Sequence, residues 1–217
     1  MNELIHWEIT ERIIEYPFLF RHLNPLDNSN IVDVGAVESE LSIKLATLGH
    51  KVTALDNRKY PHSHENLISL SVDLVKYINF PKNFYDWGVC ISTLEHIGIG
   101  FNQYGDPPYS NKDEIDVLIM NKIYDMLKDA GKLILTIPFG KSNYTQHFHK
   151  FKIYDLNDVN RLLSKFKILV AEYWYLDKWD GLKPIDYYQV SPEELTEKSD
   201  LSFYPTKGVA CFYLEKI

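Results

Sequence analysis

The sequence predicts a single-domain α/β fold, a Rossmann-like doubly wound sheet that is mostly parallel with an antiparallel last strand and helices on both faces. Three observations predict it. A short apolar run, Asn30-Ile31-Val32, enters Asp33-Val34-Gly35, a helical segment follows, and a second run, Val52-Thr53-Ala54-Leu55, delivers Asp56. Beyond it, strand-like and helix-like segments keep alternating, as crossover connections between parallel strands require. A chain of 217 residues with 45% hydrophobic content suits one sizeable core of this kind, with no linker dividing it.

The elements follow in order. Residues 1–29 form an N-terminal helical segment, with a helix over 8–22 that is interrupted or ended near Pro17 and a turn at Asn24-Pro25-Leu26-Asp27-Asn28. The first strand covers 30–34. A helix over 39–48 puts Leu41, Leu45 and Leu48 on one face, with Ser39 as its N-cap. Strands follow at 51–56, at 67–71 just before Asp73, and at 85–92. The clearest helical stripe is Ile115, Leu118, Ile119, Met126 and Leu127, with Gly131 where a C-terminal cap belongs. A strand over 132–138, a helix over 155–164 opening at Asp155, and strands over 166–175 and 208–214 complete the chain.

Three segments, 97–112, 139–152 and 177–207, are too long to be mere connections. Ligands in an open α/β sheet sit beyond the carboxyl ends of the strands, so the first two are the expected walls of a substrate pocket. The third reads as irregular, and its Trp179 and Tyr187-Tyr188 are expected to cover that pocket.

Composition excludes several classes. A net charge of −7 without a dense basic run argues against a nucleic-acid surface. Cys90 and Cys211 each lie in an apolar strand-like run and read as buried free thiols, with no disulfide or metal framework. No uninterrupted apolar span reaches the roughly 18 residues that cross a bilayer, so a cytoplasmic protein without a membrane span is expected. Two His-x-His pairs, His62/His64 and His147/His149, lack an evident third ligand, and no metal is assigned.

The turn after the first strand is the informative defect. A dinucleotide fingerprint G-x-G-x-x-G would place glycines where Val37 and Glu40 stand, counting from Gly35. What surrounds the turn must therefore identify the ligand. Carboxylates stand at strand ends throughout: Asp33 before the turn, Asp56 after the second strand, Asp73 after the third, Asp86 opening the fourth and Glu95-His96 following it. Each alone could simply cap a helix, but their order carries information.

In that order the chain resembles the class I S-adenosylmethionine-dependent methyltransferases, from about Tyr16 to Leu214. The carriers are the runs 31–39, 52–56, 71–73, 85–97 and 128–138. More narrowly, 35–39, Glu95-His96-Ile97-Gly98, Tyr104-Gly105-Asp106-Pro107 and Tyr173-Trp174-Tyr175 look like a bacterial subgroup associated with surface-glycan biosynthesis. The resemblance implies S-adenosyl-L-methionine as cofactor. It places the ribose hydroxyls on Asp56 with Asn57 beside it, the adenine amino group on Asp73 with Leu74 adjacent, and the amino-acid moiety at Gly35, Ala36 and Ser39. Asp33 would organise that turn, and Ser92, Leu94 and Glu95 would line the methyl-transfer side.

Methyl transfer to a sugar hydroxyl calls for a base, and the candidates are His96 first, then Asp106 and His149. The expected activity is O-methylation of a saccharide or glycan precursor. The oligomeric state is left open. Val37 departs from the family pattern, because a β-branched side chain resists positive φ and would crowd a cofactor. It is the one support for an alternative, a non-catalytic methyltransferase-like binding module. A nicotinamide-dependent oxidoreductase is a third reading, compatible with an acidic residue about 20 positions past the glycine turn but opposed by the missing glycines.

Overall fold

Alternation along single strands decides the layering. In Asn30–Val34 (β1), Ile31 packs into one apolar cluster and Val32 into the other. In Tyr85–Ile91 (β4), Val89 and Ile91 share a cluster with Ile31 while Cys90 joins Val32 on the opposite face. Such strands are buried on both sides, and period-two alternation feeds two cores rather than one core and solvent.

The computed structural model describes residues 10–99, 111–141, 143–144, 151–179, 184–198 and 207–217. Besides β1 and β4, its strands are β2 (Lys51–Asp56), β3 (Leu67–Ser71), β5 (Leu127–Pro138), β6 (Asn143–Tyr144), β7 (Lys152–Ile153), β8 (Phe166–Trp179), β9 (Pro184–Val190) and β10 (Gly208–Lys216). Its α-helices are α1 (Arg12–His22), α2 (Leu41–Thr47), α3 (Lys112–Met126), α4 (Leu156–Leu162) and α5 (Pro192–Lys198). Eight strands form one sheet in the order β3-β2-β1-β4-β5-β10-β8-β9, and β6 pairs with β7 alone. From β3 to β5 all pairs are parallel, and β10 inserts antiparallel between β5 and β8. The fold class read from the sequence is the one observed. Helices α3 and α4 cover one face, α1 and α2 the other.

Several local expectations are corrected. Helix α1 runs through Pro17 to His22, because Phe18 and Leu19 beyond the proline are fully buried and hold the chain against the sheet. Ser39 does not occupy the N-cap of α2, which falls on Glu40; the Ser39 hydroxyl nonetheless accepts the Leu41 N–H at 3.3 Å. Leu48 is half exposed just beyond that short helix, while Leu41 and Leu45 are buried. Helix α3 ends at Met126 and Leu127 already belongs to β5, so Gly131 is no helix cap. The excursion that follows takes its left-handed residue at Ala130 (φ 57°), and a Cβ on Gly131 would come within 2.7 Å of the Lys128 carbonyl. Asp155 caps α4 as expected, in a reciprocal box with Asp158.

The described residues of the segment 177–207 are largely regular. They carry the end of β8, all of β9 and α5, and β9 adds an antiparallel edge strand to the sheet. Tyr187 and Tyr188 are thereby committed to pairing and packing: Tyr188 lies opposite Tyr175, and Tyr187 packs on the α1 side. They form no cover over the carboxyl ends. Among the described residues, no helix is long and apolar enough to cross a membrane.

One buried polar contact joins α1 to the sheet. Glu15 is fully buried; it accepts the Ser92 hydroxyl at 2.5 Å, the Thr136 hydroxyl, and Arg12 Nη1 at 2.6 Å. Replacing Glu15 by Ala strips three donors of their acceptor, and urea unfolding is expected to show a loss of about 3 kcal/mol. Lys44→Ala, which removes an exposed i,i+4 pair with Glu40, should cost no more than about 0.5 kcal/mol in the same experiment.

Candidate functional site

Strands β1 and β4 are neighbours, yet the chain leaves β1 toward β2 and leaves β4 toward β5 on the other side. The connections therefore part between them, and the crevice at their carboxyl ends is where an open α/β sheet receives a ligand. Gly35 ends β1 with φ 81°, and a Cβ there would meet the Thr93 side chain at 2.2 Å. Only glycine satisfies both the left-handed backbone and that approach. Val37 lies in the single 3-10 turn Ala36–Glu38 and is absent from the positive-φ residues, so its β-branch carries none of the strain that the sequence suggested.

Opposite Gly35, Ser92 holds a left-handed φ of 42° without being glycine. Its N–H donates to the Thr136 carbonyl (3.2 Å) and hydroxyl (3.0 Å), while its own hydroxyl is taken by Glu15. Strained backbone of this kind costs on the order of 1–3 kcal/mol and persists where surroundings over-determine it. The next turn is fixed from below by Lys112, the first residue of α3. Its buried ammonium donates to the carbonyls of Leu94 (2.6 Å) and Ile97 (2.5 Å) and to the Asp116 carboxylate, bracketing Glu95 and His96. The Lys152 N–H donates to the Glu95 carbonyl at 3.2 Å, bringing the far end of the 139–152 segment to the same place.

A cleft of about 230 Å³ opens at this point. Of the residues expected at a cofactor, Gly35, Asp56, Asn57, Asp73, Leu74, Ser92 and Glu95 line it, as does His96. Asp33, Ala36, Ser39 and Leu94 do not. Asp33 is buried and accepts the Ser42 hydroxyl at 2.6 Å, tying the end of β1 to α2; burial pushes its carboxyl up to about 6, against the pull of that hydroxyl. Ala36 and Leu94 are core residues. Asp106 and His149 lie outside the described residues. Asp86 stands at the opposite end of the sheet, accepting from Asn30 and paired with Lys128, and is structural.

Sequence reasoning missed other lining residues. Glu11 and Arg12 of the α1 region reach the cleft from far along the chain, with no local signal to announce them. Phe151, in edge contact with His96 at 6.0 Å between ring centroids, is a second. Arg58 was legible as a cation two residues past Asp56. It donates through its N–H (3.0 Å) and Nε (3.1 Å) to Asp56 Oδ1 and pairs with Glu38 across the glycine turn. The other Asp56 oxygen accepts the Val37 N–H at 3.1 Å. Asp73 caps its own turn, accepting the Val75 N–H at 2.9 Å. Among the described residues no cluster of three or more His, Cys, Asp or Glu could hold a metal ion.

Glu95 is the unusual group. It is 2% exposed, its Oε2 is buried without a hydrogen-bond partner, and its Oε1 is 3.8 Å from His96 Nε2. Burial pushes its carboxyl up to about 8, with Glu15 and Glu11 adding to the rise and its backbone N–H and Arg12 opposing it. The folded chain then binds a proton that the unfolded chain gives up near the usual carboxylate value, so stability falls as pH rises toward 8. Between pH 7 and 8, where His22 and His50, lowered in the folded chain, are largely neutral in the unfolded chain too, the drop in unfolding free energy is expected to be about 1 kcal/mol. Urea titrations at the two pH values check it, and Glu95→Gln should flatten the difference.

The fold is shared with solved methyltransferases. An S-adenosylmethionine-dependent methyltransferase from Methanosarcina mazei superposes with a TM-score of 0.63 at 13% identity, over 93% of this chain and 98% of that one. The Burkholderia thailandensis 1,6-didemethyltoxoflavin-N1-methyltransferase, solved with 1,6-didemethyltoxoflavin and S-adenosylhomocysteine, gives 0.59 at 12% over 94% and 75%. The N-methyltransferase NodS from Bradyrhizobium japonicum, in complex with S-adenosylhomocysteine, gives 0.57 at 12% over 95% and 87%. At these identities the likeness is one of fold. No curated protein matches the sequence. A family model matches residues 29–180, from just before β1 to the end of β8 and more than half of the chain, and the protein belongs to that family, described as Caenorhabditis protein of unknown function, DUF268.

Proposed function

We propose that the protein is an S-adenosylmethionine-dependent methyltransferase. The observation that carries this reading is the cleft at the parting of β1 and β4, which gathers Gly35, Asp56, Asp73 and Glu95. The donor and acceptor set fits the cofactor. A ribose with two free hydroxyls needs an acceptor carboxylate, and Asp56 at the end of β2 supplies one. An adenine amino group needs an acceptor, and Asp73 with Leu74 stands past β3. A polar amino-acid tail needs bare main chain, and Gly35 is bare by necessity. Two of the similar folds hold S-adenosylhomocysteine in their own sites, which supports the assignment.

When bound, the cofactor supplies an activated methyl group on a sulfonium centre. This chain's contribution is placement and proton handling. Ser92, held in its strained conformation by Glu15 and Thr136, sets the path of the β4 turn. Lys112 fixes the turn's far end, and His96 is presented to the cleft as the side chain that meets the acceptor. Arg58 pairs with Asp56 and Glu38 together, which holds the ribose carboxylate oriented beside the glycine turn. Positioning of this sort can supply much of the acceleration of an in-line transfer.

The acceptor class carried forward is a saccharide hydroxyl, supported by the sequence runs 95–98, 104–107 and 173–175. The non-catalytic alternative loses its one support, since Val37 adopts no strained backbone.

Calorimetric titration is expected to show S-adenosylmethionine binding by the wild type, weakened by Asp56→Ala roughly a hundredfold, the value of two hydrogen bonds to a charged acceptor. Absence of binding by folded wild-type protein overturns the reading. His96→Ala should leave that affinity within about threefold while lowering methylation of a responsive saccharide acceptor by roughly a hundredfold or more, as loss of a group acting at the acceptor does.

A further inference from the structure

We propose, resting on the cofactor reading above, that Glu95 is the proton-linked counter-ion of the sulfonium, a carboxylate while the cationic methyl donor is bound and a neutral acid once the demethylated product occupies the cleft. The geometry is that of an acceptor awaiting a cation. Glu95 lines the cleft, is almost fully buried, and leaves Oε2 without a hydrogen-bond partner.

Nearby cations are already engaged elsewhere. On α1, Arg12 pairs with the buried Glu15 at 2.6 Å, and Glu11 adds further negative charge. On α3, Lys112 is consumed by two carbonyls and Asp116. Cys90 of β4 and Tyr154 beyond β7 also face Glu95, and burial raises both, so they bring no charge. His96 Nε2 is 3.8 Å away on the same turn. Among the described residues, then, no cation is dedicated to Glu95. A buried carboxyl in that position stays protonated until a positive charge arrives, which is why burial holds it near 8.

The consequence is a cleft whose net charge does not change during reaction. The acceptor's lone pair takes the methyl carbon, the carbon–sulfur bond breaks with its electron pair remaining on sulfur, and the acceptor's proton passes through His96, whose Nε2 is 3.8 Å from Glu95 Oε1, to the Glu95 carboxylate. Before transfer a sulfonium faces a carboxylate; afterwards a thioether faces a carboxylic acid. Both pairs are neutral, so a water-poor site never has to hold an isolated charge. The acceptor must bring a proton to lose, which restricts it to hydroxyl nucleophiles or neutral amines that bear an N–H.

The test compares the methyl donor with S-adenosylhomocysteine, which differs by the methyl group and its charge, and needs no acceptor. Calorimetry of the full-length protein in buffers of different ionisation enthalpy at pH 7 is expected to show about one proton released per S-adenosylmethionine bound, and no such release with S-adenosylhomocysteine. Affinity for the donor should rise roughly tenfold per pH unit up to about 8 while that for the product stays flat. Asp33, pushed up to about 6, lies outside the cleft, contributes alike with both ligands and cancels in the difference. Glu95→Gln should bind S-adenosylhomocysteine as the wild type does and lose the donor's proton release. Equal proton exchange for the two ligands in the wild type overturns the role of Glu95 even if the variant cannot be folded. Failure of both ligands to bind overturns the cofactor reading and the inference with it.

Discussion

The buried carboxylate of Glu15 is the contact on which the working end of this protein depends. One oxygen accepts hydroxyls from the carboxyl ends of two adjacent strands, Ser92 after β4 and Thr136 in β5, and the other accepts Arg12 from its own helix. Burying a charge is expensive unless every lone pair is used, and here the partners use them. The return is positional: α1 is locked over the strand ends, and Ser92 is held in a conformation it would otherwise leave. From Ser92 onward the chain has few choices, with Thr93 against Gly35 and the Leu94–Ile97 turn pinned by Lys112.

That scaffold explains why the cleft is charged in an uneven way. Asp56 and Glu38 share Arg58, Glu15 holds Arg12, and Asp116 holds Lys112. Each carboxylate has its cation close by, in contact distance and partly shielded from water. Glu95 stands outside this pairing, and its elevated proton affinity follows from burial before any charge is considered. Uncompensated buried acids are costly to a resting protein, which makes their retention in a cleft a pointer to function rather than to stability.

Much of the fold was legible because its signals are local. Period-two apolar runs marked β1, β2, β4 and β10, and Asp155 with Asp158 announced α4. The part misread was 177–207, where β9 is polar and aromatic on an edge and its strand character comes from pairing with β8, not from its own pattern. Helix ends were misplaced for a related reason. Leu127 continues the apolar stripe of α3 by spacing, but pairing of β5 with β4 claims it for the sheet. In the site, Gly35, Asp56, Asp73, Glu95 and His96 were readable as residues at strand ends, whereas Glu11, Arg12 and Phe151 reach the cleft through packing of distant segments.

The sequence by itself determined the sheet, its largely parallel strand sense and the carboxylates at its carboxyl ends, because side-chain alternation and strand-end position are properties of neighbours along the chain. Tertiary structure alone decided which groups each of those carboxylates meets. Asp33 turns to Ser42, Asp73 caps its own turn and Asp56 is oriented by Arg58 and the Val37 amide, while Glu95 keeps one buried oxygen, Oε2, without a hydrogen-bond partner. Hydrogen-bond satisfaction and desolvation depend on groups brought together from far apart in the chain, and no local pattern encodes them.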